Sequence, residues 1–402
     1  MSIIGIVAEY NPFHKGHEYH IRSSREQLGP DSLVICAMSG DFVQRGDAAL
    51  FDKFTRAEAA CRCGADLVVE LPVQWSLASA EGFASGAVGL LSAMGISHLS
   101  FGSELGDISA FWELAELLSD EHIYEDIKNI QRKDASLSFA SARQLAVEKC
   151  LGSEKAGILE KPNNILAVEY LKAVRRLAAD LRAITVPRIG SGHDRCGDEG
   201  PKSASELRSI YYGGGDLLPY LPEAAARLFA ARLDEGRVLD RACFELAVMS
   251  RFRMLDRESF ERLPDAADGL GARLYAAVKE GTDLEEICQA AKTKRYALSR
   301  VRRALMCAAL GIESGAGSGQ VPYARILAAN ERGCAYLRGL SESCTLPLIT
   351  KAAHIKKLPS FCADTFEQNS AAHDLFMLSN KNKMLKKGGQ DWKNKPSIVK
   401  NQ

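Results

Sequence analysis

Through the first two hundred residues, short apolar runs of strand length alternate with stretches patterned for helices. The runs fall at 3–9, 32–38, 67–71 and 98–102, and the helical stretches between them at 17–28, 53–64 and 79–94. Asn11-Pro12 closes the first run and Pro72 the third. This alternation predicts a parallel sheet covered on both faces, with right-handed crossovers. Residues 137–150 and 163–177 read as further helices and 182–186 as a late strand, followed by a glycine-rich loop over 188–201. From residue 203 the pattern is helical throughout: 203–211, 221–233, 240–251, 269–279, 284–293, 294–310 and 321–333. Residues 381–402, with seven lysines and one aspartate, read as a flexible basic tail. The expectation is an α/β protein: a doubly wound parallel sheet over 1–210, a mainly helical domain over 211–380, then the tail.

Composition narrows this little, but it excludes several classes. No apolar run reaches the length of a membrane-spanning helix. Met1-Ser-Ile-Ile-Gly-Ile-Val-Ala-Glu9 lacks the basic region and cleavage site of a signal peptide and reads as an immediate first strand. Eleven cysteines without a C-x-x-C pair predict reduced thiols in a cytoplasmic protein and no zinc site. The 51 basic and 51 acidic side chains cancel, yet residues 1–200 hold 20 basic against 28 acidic and the rest 31 against 23. That asymmetry fits a second half that faces a polyanion such as RNA, or plain drift of surface charge between domains.

The chemistry concentrates in Gly5-Ile-Val-Ala-Glu9-Tyr10-Asn11-Pro12-Phe13-His14-Lys15-Gly16-His17, the junction of first strand and first helix. In an open parallel sheet ligands bind beyond the carboxyl ends of the strands, and a helix N-terminus there suits a phosphate. His14 and His17, three residues apart, can face one point, and Gly16 removes a side chain where a phosphate must approach. Two imidazoles with backbone amides can stabilise charge on a phosphoryl group in the transition state.

With these residues in place, the sequence resembles the H-x-G-H nucleotidyltransferase superfamily, and within it the tRNA(Met) cytidine acetate ligase family. The motifs are G-I-V-A-E-Y-N-P-F-H-K-G-H at 5–17, M-S-G-D-F-V-Q-R-G at 38–46, D-K-F-T-R-A-E at 52–58, G-A-D-L-V-V-E-L-P at 64–72, F-G-S-E at 101–104 and K-P-N-N-I-L at 161–166. P-L-I-T-K at 347–351 carries a weaker match. The resemblance implies a Rossmann-like nucleotidyltransferase fold and a two-step reaction. Acetate attacks the α-phosphate of ATP, giving acetyl-adenylate and pyrophosphate. The acetyl group then passes to the exocyclic amine of the wobble cytidine of elongator tRNA(Met). It further implies that ATP lies along Ile6, Val7, Ala8, Glu9, Tyr10, Asn11, Phe13, His14, Gly16 and His17, with Gly102, Arg188 and one of Asn163 and Asn164, Asn164 being favoured. His14 and His17 are the expected catalytic pair. Magnesium is expected to accompany ATP without a dedicated site, and no protein partner is expected.

Other candidates follow from position. Ser39, Asp41, Gln44 and Arg45 leave the second strand on the catalytic edge, as candidate contacts to the triphosphate, acetate or the incoming cytidine, and Lys53 and Arg56 open the next helix, as cations near phosphate or as a solvated face. Glu70 is expected in a hydrogen-bonded role near the sheet's end. One Asn of the 163–164 pair equally fits a cap for its helix. Lys202-Ser203-Ala204-Ser205-Glu206-Leu207-Arg208 stands where the superfamily has I-S-S-T-x-x-R, so Ser203, Ser205 and Arg208 are phosphate candidates, although Lys202 and Ser205 depart from that pattern. Gly192-His193 departs too, where a Tyr would intervene. Ser203 with Glu206 also fits a capping box. For RNA the densest basic segment offers Lys292, Lys294, Arg295, Arg302 and Arg303. Two other readings remain: an adenylyltransferase acting on a small phosphorylated metabolite, and a non-enzymatic RNA-binding factor on the same fold.

Overall fold

The computed structural model describes residues 1–400 apart from 135, 178–179, 189–200, 268 and 341–343. The strands in chain order are β1 (Ile3–Ala8), β2 (Leu33–Ser39), β3 (Phe42–Val43), β4 (Asp47–Ala48), β5 (Leu67–Leu71), β6 (His98–Ser103), β7 (Arg182–Pro187), β8 (Ala324–Asn330), β9 (Leu348–Ile349) and β10 (Ser397–Val399). Eight of them form one sheet in the order β10-β8-β5-β2-β1-β6-β7, with β9 also pairing β8; β3 and β4 make a separate hairpin. From β5 to β7 all pairings are parallel, as expected for strands that are apolar on both faces. β2 is buried at every position, and helices clothe both sides.

The strand order turns at β1: the chain goes first to β2 on one side, later to β6 on the other. Such a switch point opens a crevice at the carboxyl ends of the two diverging strands. Helix α1 (Lys15–Leu28) starts there, and helix α2 (Lys53–Arg62) starts beyond the end of β2. Asp52 caps α2 by accepting from the Phe54 and Thr55 amides, both at 3.0 Å.

Two expectations change. Residues 324–330, predicted helical, form β8, which lies antiparallel to β5 in the sheet. The segment mixes small apolar residues with Arg325 and Asn330 and shows no clean alternation, and all seven residues of β8 are buried, so its pattern suits a fully buried strand or a buried helix equally. The tail is anchored as well: Asp391 is fully buried and β10 adds to β8 in parallel. The sheet of residues 1–210 is therefore completed by strands that follow the helical stretch.

Candidate active site

His14 is the residue immediately before α1, in extended conformation, so it can cap the helix. The Gly16 amide donates to His14 Nδ1 at 3.0 Å, and the His14 amide donates to His17 Nδ1 at 3.3 Å. Each Nδ1 is thus an acceptor, which places the proton of each neutral ring on Nε2. The rings lie 3.8 Å apart between centroids, inclined by 30°. A Cβ on Gly16 would stand 2.8 Å from His14 Cε1 and 3.0 Å from Nδ1, so the capped ring requires glycine.

Burial first, then the Arg188 guanidinium, lowers the His14 imidazole from its ordinary 6.5 to about 4. Burial, His14, Arg188 and His20 drive His17 well below its usual value. The pair therefore offers two neutral Nε2–H donors beside a helix N-terminus, a fixed set of dipoles for a negatively charged group. Activity that depends on these donors should stay level through the ordinary histidine range near 6.5 and fall only as pH approaches about 4. Stability should follow the same sign. Between 4 and 6.5 the unfolded chain binds more protons at these sites, so their contribution is full above 6.5 and declines as pH falls. A rate measured against pH checks the first statement; a midpoint near 6.5 would contradict it.

The structure gives the other predicted residues unequal parts. Ile6 and Ala8 are buried in the sheet and Val7 is half-buried, so what they present to the crevice is backbone. Tyr10 adopts φ 48°, and its hydroxyl lies 3.3 Å from Cys36 Sγ in the core. Tyr10 and Phe13 pack edgewise or tilted on the His17 ring, at 4.8 and 5.5 Å between centroids, so they support the histidine from behind. Asn11 Oδ1 accepts from the Leu50 amide at 2.8 Å, and its carbonyl accepts from Arg208 Nη1 at 2.7 Å. Arg208 thus reaches the histidine loop, while Ser203 caps its own helix in a box with Glu206 and Ser205 accepts weakly from Arg208. Glu9 accepts from the Gln44 amide at 2.8 Å, and burial raises its carboxyl.

Gly102 and Arg188 lie side by side: a Cβ on Gly102 would stand 3.5 Å from Arg188 Cγ. Asn164 is buried and engaged within the protein, accepting from the Glu104 amide at 3.0 Å and donating to the Ile158 carbonyl at 3.2 Å. Its side chain fixes the turn after β6. Asn163 is half-buried and donates to Glu104 Oε1 at 2.6 Å.

Three phosphate candidates are withdrawn from the surface. Ser39 is fully buried. Asp41 accepts from the Lys53 amide and pairs with His373, both at 2.8 Å. Lys53 is buried with its ammonium between Glu70 at 2.7 Å and Asp391 at 2.8 Å. A charge taken from water needs partners, and these lie far along the chain. The reading of 52–58 as a solvated face fails for the same reason: Arg56 is fully buried and donates to the carbonyls of Phe51, Glu9, Ser39 and Gly40. Arg45, by contrast, is exposed.

Of the RNA candidates, Lys292 and Lys294 are exposed. Arg302 pairs with Glu285 at 3.1 Å, and Arg303 is mostly buried beside Asp265. Arg295 lies 6.0 Å from the Tyr296 ring. The end of this segment lies against the β3–β4 turn: a Cβ on Gly46, in that turn, would overlap the backbone of Arg302 and Arg303.

Sequence reasoning missed His20, whose Nε2 lies 2.9 Å from Ser100 Oγ on β6 and whose imidazole is lowered to about 4 by burial and Arg188. The signal was present, since His20 repeats the three-residue step from His14 to His17. Gly192-His193 lies outside the described residues. Among the described residues no group of three or more His, Cys, Asp or Glu could hold a metal ion, and no helix is long and apolar enough to cross a membrane.

The HIGH Nucleotidyl Transferase family model matches residues 1–391. The tRNA(Met) cytidine acetate ligase of Thermoanaerobacter sp. strain X514 is 34% identical, covering 96% of this chain and 97% of its own. That of Acetivibrio thermocellus is 33% identical, covering 98% of each. The crystal structure of Thermotoga maritima TmcAL bound with alpha-thio ATP covers 100% of both chains with TM-score 0.92 at 28% identity. The apo form of the same protein gives 0.92 at 29%. Motifs, fold and relatives converge, and the chain belongs to the tRNA(Met) cytidine acetate ligase family of HIGH nucleotidyltransferases.

Proposed function

We propose that this protein is an ATP-dependent ligase that makes N(4)-acetylcytidine at the wobble position of elongator tRNA(Met). The observation that carries the chemistry is the pair of neutral Nε2–H donors on His14 and His17, held by backbone amides at the switch point of the sheet. In the first step an acetate oxygen bonds to the α-phosphorus of ATP and the bond to pyrophosphate breaks. Charge grows on the phosphoryl oxygens, and donors fixed beforehand stabilise it without reorganising. Arg188, beside Gly102, adds a cation on the same side. In the second step the cytidine amine attacks the acetyl carbon, loses a proton and expels AMP. Magnesium would accompany the nucleotide and share its phosphate charge.

The tRNA-binding role falls to residues 211–380. Support comes from the continuity of Glu9, Gln44, Gly46 and the Arg302–Arg303 backbone, which joins the end of β1 to the basic segment. Arg302 and Arg303 are engaged within the protein, so Lys292 and Lys294 are the better probes. Changing both to glutamate should weaken tRNA binding and flatten its dependence on salt, leaving acetate activation intact. Binding titrations at two ionic strengths check this, and an equal loss of activation would contradict the separation of roles. Such an enzyme works in the cytoplasm, where its tRNA is.

Acetate-dependent exchange of labelled pyrophosphate into ATP, followed by label transfer from acetate to tRNA(Met), tests the whole reading. Exchange that ignores acetate but requires a phosphorylated metabolite would favour the small-molecule adenylyltransferase. Silence in both assays with tight RNA binding would favour the non-enzymatic factor.

A further inference from the structure

Asp391 stands among lysines in sequence, yet its carboxylate is fully buried. It accepts from Arg325 Nη1 at 2.6 Å and Nη2 at 2.9 Å, and from Lys53 Nζ at 2.8 Å. Glu70 accepts from the same two cations, at 2.7 Å from Lys53 and 3.2 Å from Arg325. Two cations and two anions thus close a ring inside the protein, each cation shared between both anions. The ring ties α2, β5, β8 and the last segment of the chain to one another at fixed distances.

What matters is where α2 leads. Lys53 is its first residue, and Arg56, one turn on, holds the carbonyls of Glu9 at the end of β1 and of Ser39 and Gly40 at the end of β2. Gly40 lies against the ring itself, since a Cβ there would be 2.8 Å from Glu70 Oε1. Asn11 to His14 continue directly from Glu9. A buried ion cluster is a weak source of stability compared with an apolar plug of the same volume, and here its hydrogen bonds set the direction of the four groups that share it.

We infer that Asp391 is a positioning residue for adenylate formation, acting through Lys53 and Arg56 on the loops that carry the His14–His17 pair. The inference rests on the functional reading above. A site that must hold donors against a transition state is sensitive to small displacements, and a misplacement near 1 Å costs about a hundredfold.

The test compares the full-length protein with Asp391→Asn, Asp391→Glu and the double variant Arg325→Met/Asp391→Leu in acetate-dependent pyrophosphate exchange, well below each melting temperature. The double variant removes one charge of each sign and keeps apolar bulk, so it should fold even where Asp391→Asn does not. In the double variant, and in Asp391→Asn where it folds, the expected result is a fall in kcat of about tenfold to a hundredfold with KM for ATP little changed, and partial recovery in Asp391→Glu. Wild-type kcat in a folded double variant would overturn the inference. Absence of exchange in the wild-type protein would instead overturn the functional reading.

Discussion

Replacing His17 with alanine is expected to lower acetate-dependent pyrophosphate exchange by about 10²–10³-fold, the usual loss for one preorganised donor, about 2.7–4 kcal/mol. His17 Nδ1 is committed to the His14 amide, so the Nε2–H is the group left for substrate. Because the donor meets charge that grows only in the transition state, the loss should appear in kcat, with KM for ATP little altered. The fold should survive. Alanine forfeits the cap acceptor, worth about 1 kcal/mol, together with ring contacts to Tyr10 and Phe13. Steady-state exchange kinetics beside thermal unfolding separate the two effects. Exchange within a few-fold of wild type would remove His17 from the mechanism.

Arg56→Met should have the largest effect on stability. The guanidinium is fully buried and serves four carbonyls, those of Phe51, Glu9, Ser39 and Gly40. Methionine fills comparable space but donates nothing, so those carbonyls become buried acceptors without partners, each costing about 1–3 kcal/mol. Asp41, Asp52, Glu9 and Glu70 also lose a nearby cation. Removing one member of a buried charged network typically costs about 3–5 kcal/mol, and a loss of that size is expected here. The urea midpoint at unchanged slope measures it. A loss under about 1 kcal/mol would mean that water or a rearranged loop satisfies those carbonyls.

The two substitutions mark the boundary of what the amino-acid sequence discloses. The histidine pair was legible because its cause is local: strand, turn, H-x-G-H and helix occupy one short stretch, and capping geometry follows from three-residue spacing. The central parallel strands were legible because burial on both faces leaves an apolar run. Lys53 and Arg56 were not. On a polar helix they look like solvated residues, and only partners 17, 338 and 16 residues away, in Glu70, Asp391 and Gly40, make the interior tolerate them. β8 failed for a related reason. Its seven buried residues carry no period, and its partner β5 lies some 250 residues earlier, so nothing nearby distinguishes strand from helix. Asp391 was hidden by its neighbours, since seven lysines set the character of the segment and one acid decides its position.

The placement of Asp391 also bears on how the protein comes into being. A polypeptide is made from its N-terminus, and domains generally close in that order. Here the ion pair from Lys53 spans 338 residues, and the sheet gains β8 and β10 only after the helical stretch has been made. A growing chain can assemble β1, β2, β5 and β6 early, but until residue 391 emerges the Lys53 ammonium and the Glu70 carboxylate lack half their partners and must stay hydrated. Contacts of such separation form late because so much chain must be ordered first. The edge that carries the histidine motif is thus synthesised before the strands that complete its sheet and is finished only after them, so a product truncated before residue 391 carries that motif without the Asp391 carboxylate and β10.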